Sequence, residues 1–317
     1  MKSSLKVSLL IITLGLAQTS QAQNDFFFNH YMFNPSYYNP GWVGTEDQAF
    51  VAAHHRSQWA GYDATFDPEG APTTQLLSLV VPVKSIFSGV GMSISNDKVG
   101  PINSIQARLS VSVKKSFRFG DLSLGIMPAL NTQSINPNYR AVDNPDPFIP
   151  SGKESQIRPN LHAGVFFQSR KDYFAGVSIE NILKPGFNFG TDAVNEIPIN
   201  YILMGGTSFG LMRELVLNPT IMVRSDLNSY TYDISAVAVY QERMWGGLAF
   251  RRAESISLLL GYSFLENNKL KAGYSFDYVV KDKDAKQPTS HEVFIRYDLP
   301  DLVFGGRKAV KTPRFTF

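Results

Sequence analysis

The 317-residue chain contains no cysteine, which excludes a disulfide, a thiolate metal site and a lipid anchor on cysteine. Charged residues make up only 18% of the sequence, against about 25% in soluble proteins. The formal net charge of +3 is too small to indicate a nucleic-acid-binding protein. No run of about 20 apolar residues offers a membrane-spanning helix. These absences exclude a helical membrane protein and any function that depends on thiols.

What the chain does contain is a regular alternation of apolar and polar residues. In the segment 269–280, Tyr274 and Tyr278 fall on one face of an extended chain, and Lys271 and Asp277 fall on the other. Side chains alternate between faces with a period of two, so this segment is predicted to be a β-strand. The pattern recurs along most of the sequence. Strands with basic residues on an inner face and Tyr or Phe on an outer face are typical of outer-membrane β-barrels.

The alternation and the turn residues together predict an all-β fold, a transmembrane antiparallel β-barrel of about 14 strands over residues 48–298. The predicted strands are 49–58, 73–83, 89–96, 105–117, 121–134, 162–169, 172–181, 198–212, 215–225, 231–240, 245–252, 255–264, 269–280 and 291–298. A soluble β-sandwich also has alternating strands. However, a chain of this length would need two or more sandwich domains, and no linker divides it into such units.

The lengths of the connections between predicted strands give a second indication of a barrel. Connections after even-numbered strands are short, whereas those after odd-numbered strands are mostly longer. The longer ones are predicted at 59–72, 97–104, 135–161, 182–197 and 281–290. Short periplasmic turns and long extracellular loops are the usual asymmetry of outer-membrane barrels. The even strand count predicts that both chain ends lie in the periplasm.

The segments outside the barrel are predicted from their composition. Residues 1–22 have the basic start, short apolar core and small-residue cleavage site of a signal peptide, which predicts export to a Gram-negative outer membrane. Residues 23–47 are rich in aromatic residues and Asn-Pro pairs, which oppose helix formation. This segment is expected either to plug the lumen or to lie in the periplasm. The basic residues of 299–317 predict a periplasmic carboxy-terminal tail.

No arrangement of residues predicts catalysis, a cofactor or a metal site. His54 and His55 are adjacent on a predicted strand, so they face opposite sides and cannot share a metal ion. The most unusual cluster is the segment 56–61, at the extracellular end of the first strand. It is either a contact surface for a partner or an interface-belt Trp59 beside an Arg56 that points into the lumen. The candidate partner-binding residues are Arg56, Gln58, Trp59, Gly61, Asn96, Asp97 and Lys98.

An ordered series of motifs runs along the chain. It begins with Tyr-Met-Phe-Asn-Pro-Ser-Tyr-Tyr-Asn-Pro-Gly at 31–41 and continues with Arg56-x-Gln58-Trp59-x-Gly61. Gly-Val-Gly-Met-Ser-Ile-Ser-Asn-Asp-Lys follows at 89–98, and Ser-His-Glu stands at 290–292. Together these motifs resemble the PorP/SprF family of outer-membrane proteins from the type IX secretion and gliding systems of Bacteroidetes-type bacteria. The resemblance covers nearly the whole mature chain. Gly41-Trp42 departs from the small pair usual there, so the packing of that segment is not carried over.

The resemblance implies a non-enzymatic role. Members of the family support the export or surface retention of one large cognate secreted protein, typically an adhesin, and are linked to periplasmic components of the secretion machinery. The barrel also contacts outer-membrane lipid. The alternative is a passive outer-membrane channel or small-solute transporter, because a barrel of about 14 strands is wide enough to need a filled or water-containing lumen. The residues leave open whether the lumen is plugged.

Overall fold

Strands account for nearly all the regular structure in the computed structural model, which describes residues 27–62, 71–83, 87–135, 154–189, 194–281 and 286–300. In chain order the strands are β1 (Phe50–Ser57), β2 (Thr73–Pro82), β3 (Gly89–Val99), β4 (Ile102–Ser116), β5 (Gly120–Ile135), β6 (Glu154–Ser169), β7 (Tyr173–Glu180), β8 (Gly186–Phe187), β9 (Asn195–Glu196), β10 (Asn200–Thr207), β11 (Phe209–Met212), β12 (Leu215–Ser225), β13 (Tyr230–Tyr240), β14 (Met244–Arg251), β15 (Ser255–Phe264), β16 (Leu270–Val279) and β17 (Thr289–Asp298). Short 3-10 helices occupy Tyr31–Phe33, Pro35–Tyr37, Pro40–Trp42 and Glu266–Asn268. Among the described residues, no helix is long and apolar enough to cross a bilayer.

The strands form one antiparallel sheet that closes on itself. β1 pairs with both β2 and β17, which joins the first strand to the last. β10 and β11 both pair with β12, so together they fill one position, where a single strand 198–212 was predicted. The result is a closed barrel of 14 strands, which confirms the predicted fold class and strand count. β8 and β9 form a separate two-stranded hairpin.

The two faces of the sheet separate as the alternation predicted. In β16, Lys271 and Asp277 have exposed fractions of 4% and 0%, whereas Tyr274 and Tyr278 have 42% and 46%. The polar face therefore lines the lumen, and the apolar face forms the outer belt. Backbone groups facing lipid cannot bond to water, so only a sheet without free edges satisfies them.

Long connections gather at one end of the barrel, as predicted, but two of them are shorter than expected. The end at which β1 finishes, called here the loop end, carries the connections 58–72, 136–153, 181–199 and 280–288. The prediction of a loop at 97–104 was wrong, because β3 and β4 continue to a tight turn at Gly100-Pro101, where Gly100 has a φ of +54°. Residues 154–161, also predicted as loop, belong to β6. At the opposite end, the turn end, the connections are short, as in periplasmic turns.

Residues 27–43 lie inside the barrel, and all of them are buried. The segment runs against the direction of β1. Phe27 lies beside Arg224 and Arg251, near the loop end, while Gly44 lies against the β2–β3 turn at the turn end. We call residues 27–43 the plug. The predicted signal peptide, the remainder of the tail and the positions of the two chain ends lie outside the described residues.

The assignment of the loop end to the cell surface is tested with single cysteines, since the chain has none of its own. Asn228→Cys, in an exposed loop-end turn, should react with a membrane-impermeant maleimide on intact cells. Arg118→Cys, exposed in a turn-end connection, should react only after the cells are broken. The opposite pattern of labelling would invert the topology.

Candidate functional site

The plug is held to the barrel wall chiefly through Glu292 of β17. The side chain of Glu292 points inward and is fully buried. Its carboxylate accepts hydrogen bonds from the backbone N–H groups of Asn29 at 2.6 Å and His30 at 3.0 Å. The His30 imidazole Nδ1 lies 2.8 Å from the same carboxylate. Glu292 therefore satisfies two backbone donors that would otherwise be buried without partners, and hydrogen bonds to a charged group are the stronger kind.

Asp277 extends this anchor on the neighbouring strand β16. The Asn29 side chain donates to Asp277 and, at 2.7 Å, to the hydroxyl of Ser275. Arg56 Nη2 lies 2.6 Å from Asp277 Oδ2, and Arg56 Nη1 lies 3.5 Å from Glu292 Oε2. These are close ion pairs, although the guanidinium is not aligned for hydrogen bonds. The positive charge of Arg56 thus offsets the negative charges of Asp277 and Glu292, the two carboxylates that hold the plug.

Two arginines of the wall bind plug carbonyl groups closer to the turn end. Arg108 Nη1 donates to the carbonyl of Tyr37 and to the carboxylate of Glu180, both at 3.0 Å. Arg296 Nη1 donates to the carbonyl of Phe33 at 3.0 Å. The irregular backbone of a plug leaves its polar groups without regular partners, and these side chains supply them.

Backbone contacts at inward-facing glycines bring the plug directly onto the wall. A Cβ atom built on Gly125 of β5 would lie 2.2 Å from the carbonyl carbon of Pro40. A Cβ atom on Gly89 of β3 would lie 2.6 Å from the Cα atom of Gly44. Only glycine permits this approach, because a side chain at either position would overlap the backbone that lies against the wall.

Aromatic side chains of the plug fill the remaining space and stack on wall cations. The guanidinium carbon of Arg224 lies 4.2 Å from the ring centroid of Phe27 and 4.8 Å from that of Tyr38, within cation–π range. Burial raises the pKa of Tyr38 to about 12, so its hydroxyl stays protonated. That hydroxyl accepts the N–H of Phe28 at 3.2 Å.

The described part of the lumen is filled. Side chains that line a water-filled pore retain surface accessible to water. Inward-facing hydroxyl side chains from around the barrel are instead buried, namely Ser78, Ser95, Ser110, Ser123, Ser178, Thr220, Ser235, Ser257 and Ser275. Within the described residues, no cluster of three or more His, Cys, Asp or Glu could hold a metal ion.

The candidate residues of the segment 56–61 do not share one environment. Arg56 is buried in the lumen, so its side chain is not available at the surface. Trp59 is half-buried with a φ of +49°, and its N–H donates to Ser290 Oγ at 3.0 Å. The ammonium of Lys286 lies 5.3 Å from the Trp59 ring centroid. Trp59 is therefore fixed on the rim by its backbone, with a cation beside its ring.

The neighbours of Trp59 complete this rim. Gln58 is half-buried and its N–H donates to the carbonyl of Pro72 at 2.9 Å. Gly61 is exposed, with a φ of +83° and open space where a side chain would stand. The Tyr62 ring centroid lies 6.2 Å from that of Trp59. The rim therefore presents an edge-to-face aromatic pair beside a cation and an exposed stretch of backbone.

The remaining candidates, Asn96, Asp97 and Lys98, lie in β3 and not in a loop. Asp97 accepts a hydrogen bond from Thr74 Oγ1 at 2.6 Å, which joins β3 to β2. Lys98 pairs with Thr73, which in turn pairs with Ser57. The structure therefore places these residues on the same side of the barrel as Trp59, two strands away, but makes Asp97 a wall contact.

Sequence reasoning missed the residues that hold the plug. Glu292 and Asp277 were visible as inward-facing acidic residues, and Arg108 as an inward-facing base. Their partners are far away in sequence, since His30 and Glu292 are 262 positions apart. The available signal was a set of inward glycines, including Gly89 and Gly125, opposite a segment too aromatic to be a solvated tail.

A closed antiparallel barrel with an apolar outer face, a polar inner face and short turns at one end is an outer-membrane β-barrel. Comparison with known proteins identifies its family. The sequence profile of the type IX secretion system membrane protein PorP/SprF matches residues 20–297, and the chain belongs to this family. The protein is therefore a barrel of the type IX secretion system in the outer membrane.

Solved structures show a similar fold at low sequence identity. The Ralstonia pickettii toluene transporter TbuX is 8% identical with a TM-score of 0.51, covering 89% of this chain and 96% of its own. The monoaromatic hydrocarbon channel CymD is 11% identical with a TM-score of 0.50, covering 88% and 95%. These likenesses concern the barrel fold alone. No curated protein matches the sequence significantly.

Replacing the central carboxylate should loosen the plug. Glu292→Gln removes the charge that binds Asn29, His30 and Arg56, and removing one partner of a buried ion pair costs about 3–5 kcal/mol. We expect the free energy of unfolding in denaturant to fall by this order. Glu196→Gln, an exposed change in β9, is the control. Equal stability of the two variants would contradict the role of Glu292.

A larger side chain at the plug contact should displace the plug while the barrel stays closed. Gly125→Leu places atoms where Pro40 now lies. We expect ion conductance in planar bilayers from protein that still shows the gel shift of a folded barrel on heating. Gly210→Leu is the control, because no atom lies within 4 Å of its Cβ position. If neither variant conducts ions, residues 27–43 do not seal the lumen.

Proposed function

We propose that this barrel supports the export or surface anchoring of a large, adhesin-like cognate protein secreted by the type IX system. Its role is non-enzymatic, and it is linked through the periplasm to other components of the machinery. Family membership supports the link to the secretion system. The observation that carries the proposal is the filled lumen. A barrel whose described interior is packed by its own plug offers its loop-end surface, and not a pore, as the working site.

The proposed contact lies on the rim formed by Gln58, Trp59 and Gly61, with Lys98 and Asn96 on the adjoining part of β3. Trp is among the residues that contribute most at protein interfaces. Trp59 presents its ring beside Lys286 and is held in place by the bond of its backbone to Ser290. Arg56 is left out of the contact, because its guanidinium is buried between Asp277 and Glu292.

A passive channel is the second candidate. In its favour, two structures with similar folds are described as a toluene transporter and a hydrocarbon channel. Against it stand the buried hydroxyl groups and the charged contacts that fix the plug. The two candidates differ in one readout. Deletion of the gene should remove a large surface protein if the barrel anchors it, and should change only solute uptake if the barrel is a channel.

The rim is tested in cells that lack the chromosomal gene and produce variants of the full chain. Trp59→Ala should release the secreted partner into the medium, as expected for loss of an interface residue worth about 2 kcal/mol or more. The heat-dependent gel shift of the barrel should not change. Tyr230→Ala, another exposed aromatic at the loop end, is the control and should keep the partner on the cell.

Two results would count against this proposal. If Trp59 only anchors the barrel in the lipid interface, Trp59→Ala would lower barrel stability while the folded fraction still displays the partner. If a deletion strain displays every large surface protein normally, anchoring is excluded and the channel becomes the better explanation.

A further inference from the structure

The junction between β1 and β17, called here the closing seam, joins the two ends of the barrel sequence. Phe50 of β1 pairs with Asp298 of β17, and Ser57 pairs with His291. The other strands of the described sheet pair with strands that are close to them in chain order. Non-local pairing must overcome the entropy of ordering the intervening chain before it gains contacts, which makes it slow. Closure of the seam is therefore the step at which an ordered template has most effect.

The first half of the plug lies on the inner side of the closing seam and contacts both of its strands. His30 bonds to Glu292 of β17 through its backbone N–H and its ring, at 3.0 Å and 2.8 Å. The same ring stacks on Phe294 of β17, with the ring centroids 5.4 Å apart. On the β1 side, the ring centroids of Phe28 and His54 lie 4.8 Å apart. His54 also lies 4.8 Å from Phe294, so plug and seam share one cluster of rings.

Charges on the inner face match across the closing seam in two opposite senses. Nearer the loop end, the cation stands on β1, where Arg56 Nη1 lies 3.5 Å from Glu292 Oε2 of β17. Nearer the turn end, the cation stands on β17, where Arg296 forms an ion pair with Glu46, just before β1. A slip of one residue would turn the inward side chains of a strand to the other face, and a slip of two would separate both pairs. The two ion pairs therefore specify the register in which the strands meet.

The packing of the plug also bears on when it enters the barrel. The wall surrounds it on all sides, and at Gly125 the wall touches the backbone of Pro40. The plug carries bulky rings, including those of Phe33, Tyr37 and Trp42, and all three are buried. To thread these rings through a barrel that is already closed, the wall would have to part again. The plug is therefore in place when β1 meets β17.

We propose that the plug is an internal template for closure of the barrel, in addition to filling it. Its second half holds the first part of the wall, because Tyr37 accepts from Arg108 of β4 and Asn39 donates to carbonyl groups of β6 and β7. Its first half binds β17. Only residues 44–49 separate the plug from β1, so a plug bound to β17 holds that strand beside β1. This role does not depend on what the rim binds.

The first test follows the full chain as it refolds from urea into detergent micelles, with the heat-dependent gel shift as the measure of a closed barrel. Glu292→Gln should slow closure about tenfold or more, because the loss of a contact that forms before the slow step lowers the folding rate. Asn160→Ala is the control. The Asn160 side chain donates to Asn181 at 2.8 Å, a buried bond within the wall on the far side from the seam.

A disulfide across the closing seam separates templating from ordinary stabilisation. Ala53→Cys and Ile295→Cys together place cysteines at directly paired, outward-facing positions, and the chain has no others. The bond is formed in the folded barrel and kept during unfolding, so refolding starts with the two strands joined. Glu292→Gln should then refold as fast as the cross-linked chain that retains Glu292, and reduction of the bond should restore the delay. Any delay caused by Asn160→Ala should be the same with and without the bond.

Two results would overturn the template. One is refolding of Glu292→Gln at the natural rate, and the other is a delay that the disulfide leaves unchanged. If Glu292→Gln does not close at all, Asn29→Ala takes its place, because it removes the bonds to Ser275 and Asp277 but keeps the central carboxylate. The same delay, and the same loss of the delay on cross-linking, are expected of it. None of these readouts involves the secreted protein, so their failure would leave the proposed function standing.

Discussion

The structure depends on one constraint, which is that hydrocarbon offers no hydrogen bonds to a polypeptide backbone. Every N–H and C=O group at membrane depth must be satisfied within the protein, and a sheet does this only if it has no edge. The pairing of β1 with β17 supplies that closure. Once the sheet is closed, successive side chains must point alternately to lipid and to the lumen. The separation of Tyr274 and Tyr278 from Lys271 and Asp277 is a direct consequence.

Closure creates a second requirement, because the interior of a barrel of this size is too wide for small wall side chains to fill. Residues 27–43 occupy that space, and their irregular backbone brings buried polar groups with it. Glu292 accepts two plug N–H groups, while Arg108 and Arg296 donate to plug carbonyls. The wall residues are polar because the plug needs partners, and Gly125 lacks a side chain because the plug comes close there.

Because the described part of the lumen is filled, the outer surfaces of the barrel are the places where a partner can bind. The rim around Trp59 stands at the loop end, with the ammonium of Lys286 beside the Trp59 ring. The backbone of Trp59 is held there by its bond to Ser290.

The sequence by itself determined the strands, their number, their two faces and the family, because a period-two alternation is a local property of the chain. The sequence also predicts that the Arg56 side chain points inward. Arg56 is an even number of residues from His54 and from buried Ala52 in β1, so all three side chains lie on the same face of the strand. Only the tertiary structure decided that residues 27–43 enter the lumen and that Glu292 holds them. Those contacts join residues hundreds of positions apart, and no local pattern encodes which inward-facing carboxylate meets which plug donor. The tertiary structure also decided that β3 and β4 extend into the predicted loop 97–104. Hydrogen bonds between the paired strands extend the sheet to Gly100, beyond the point where the apolar alternation ends.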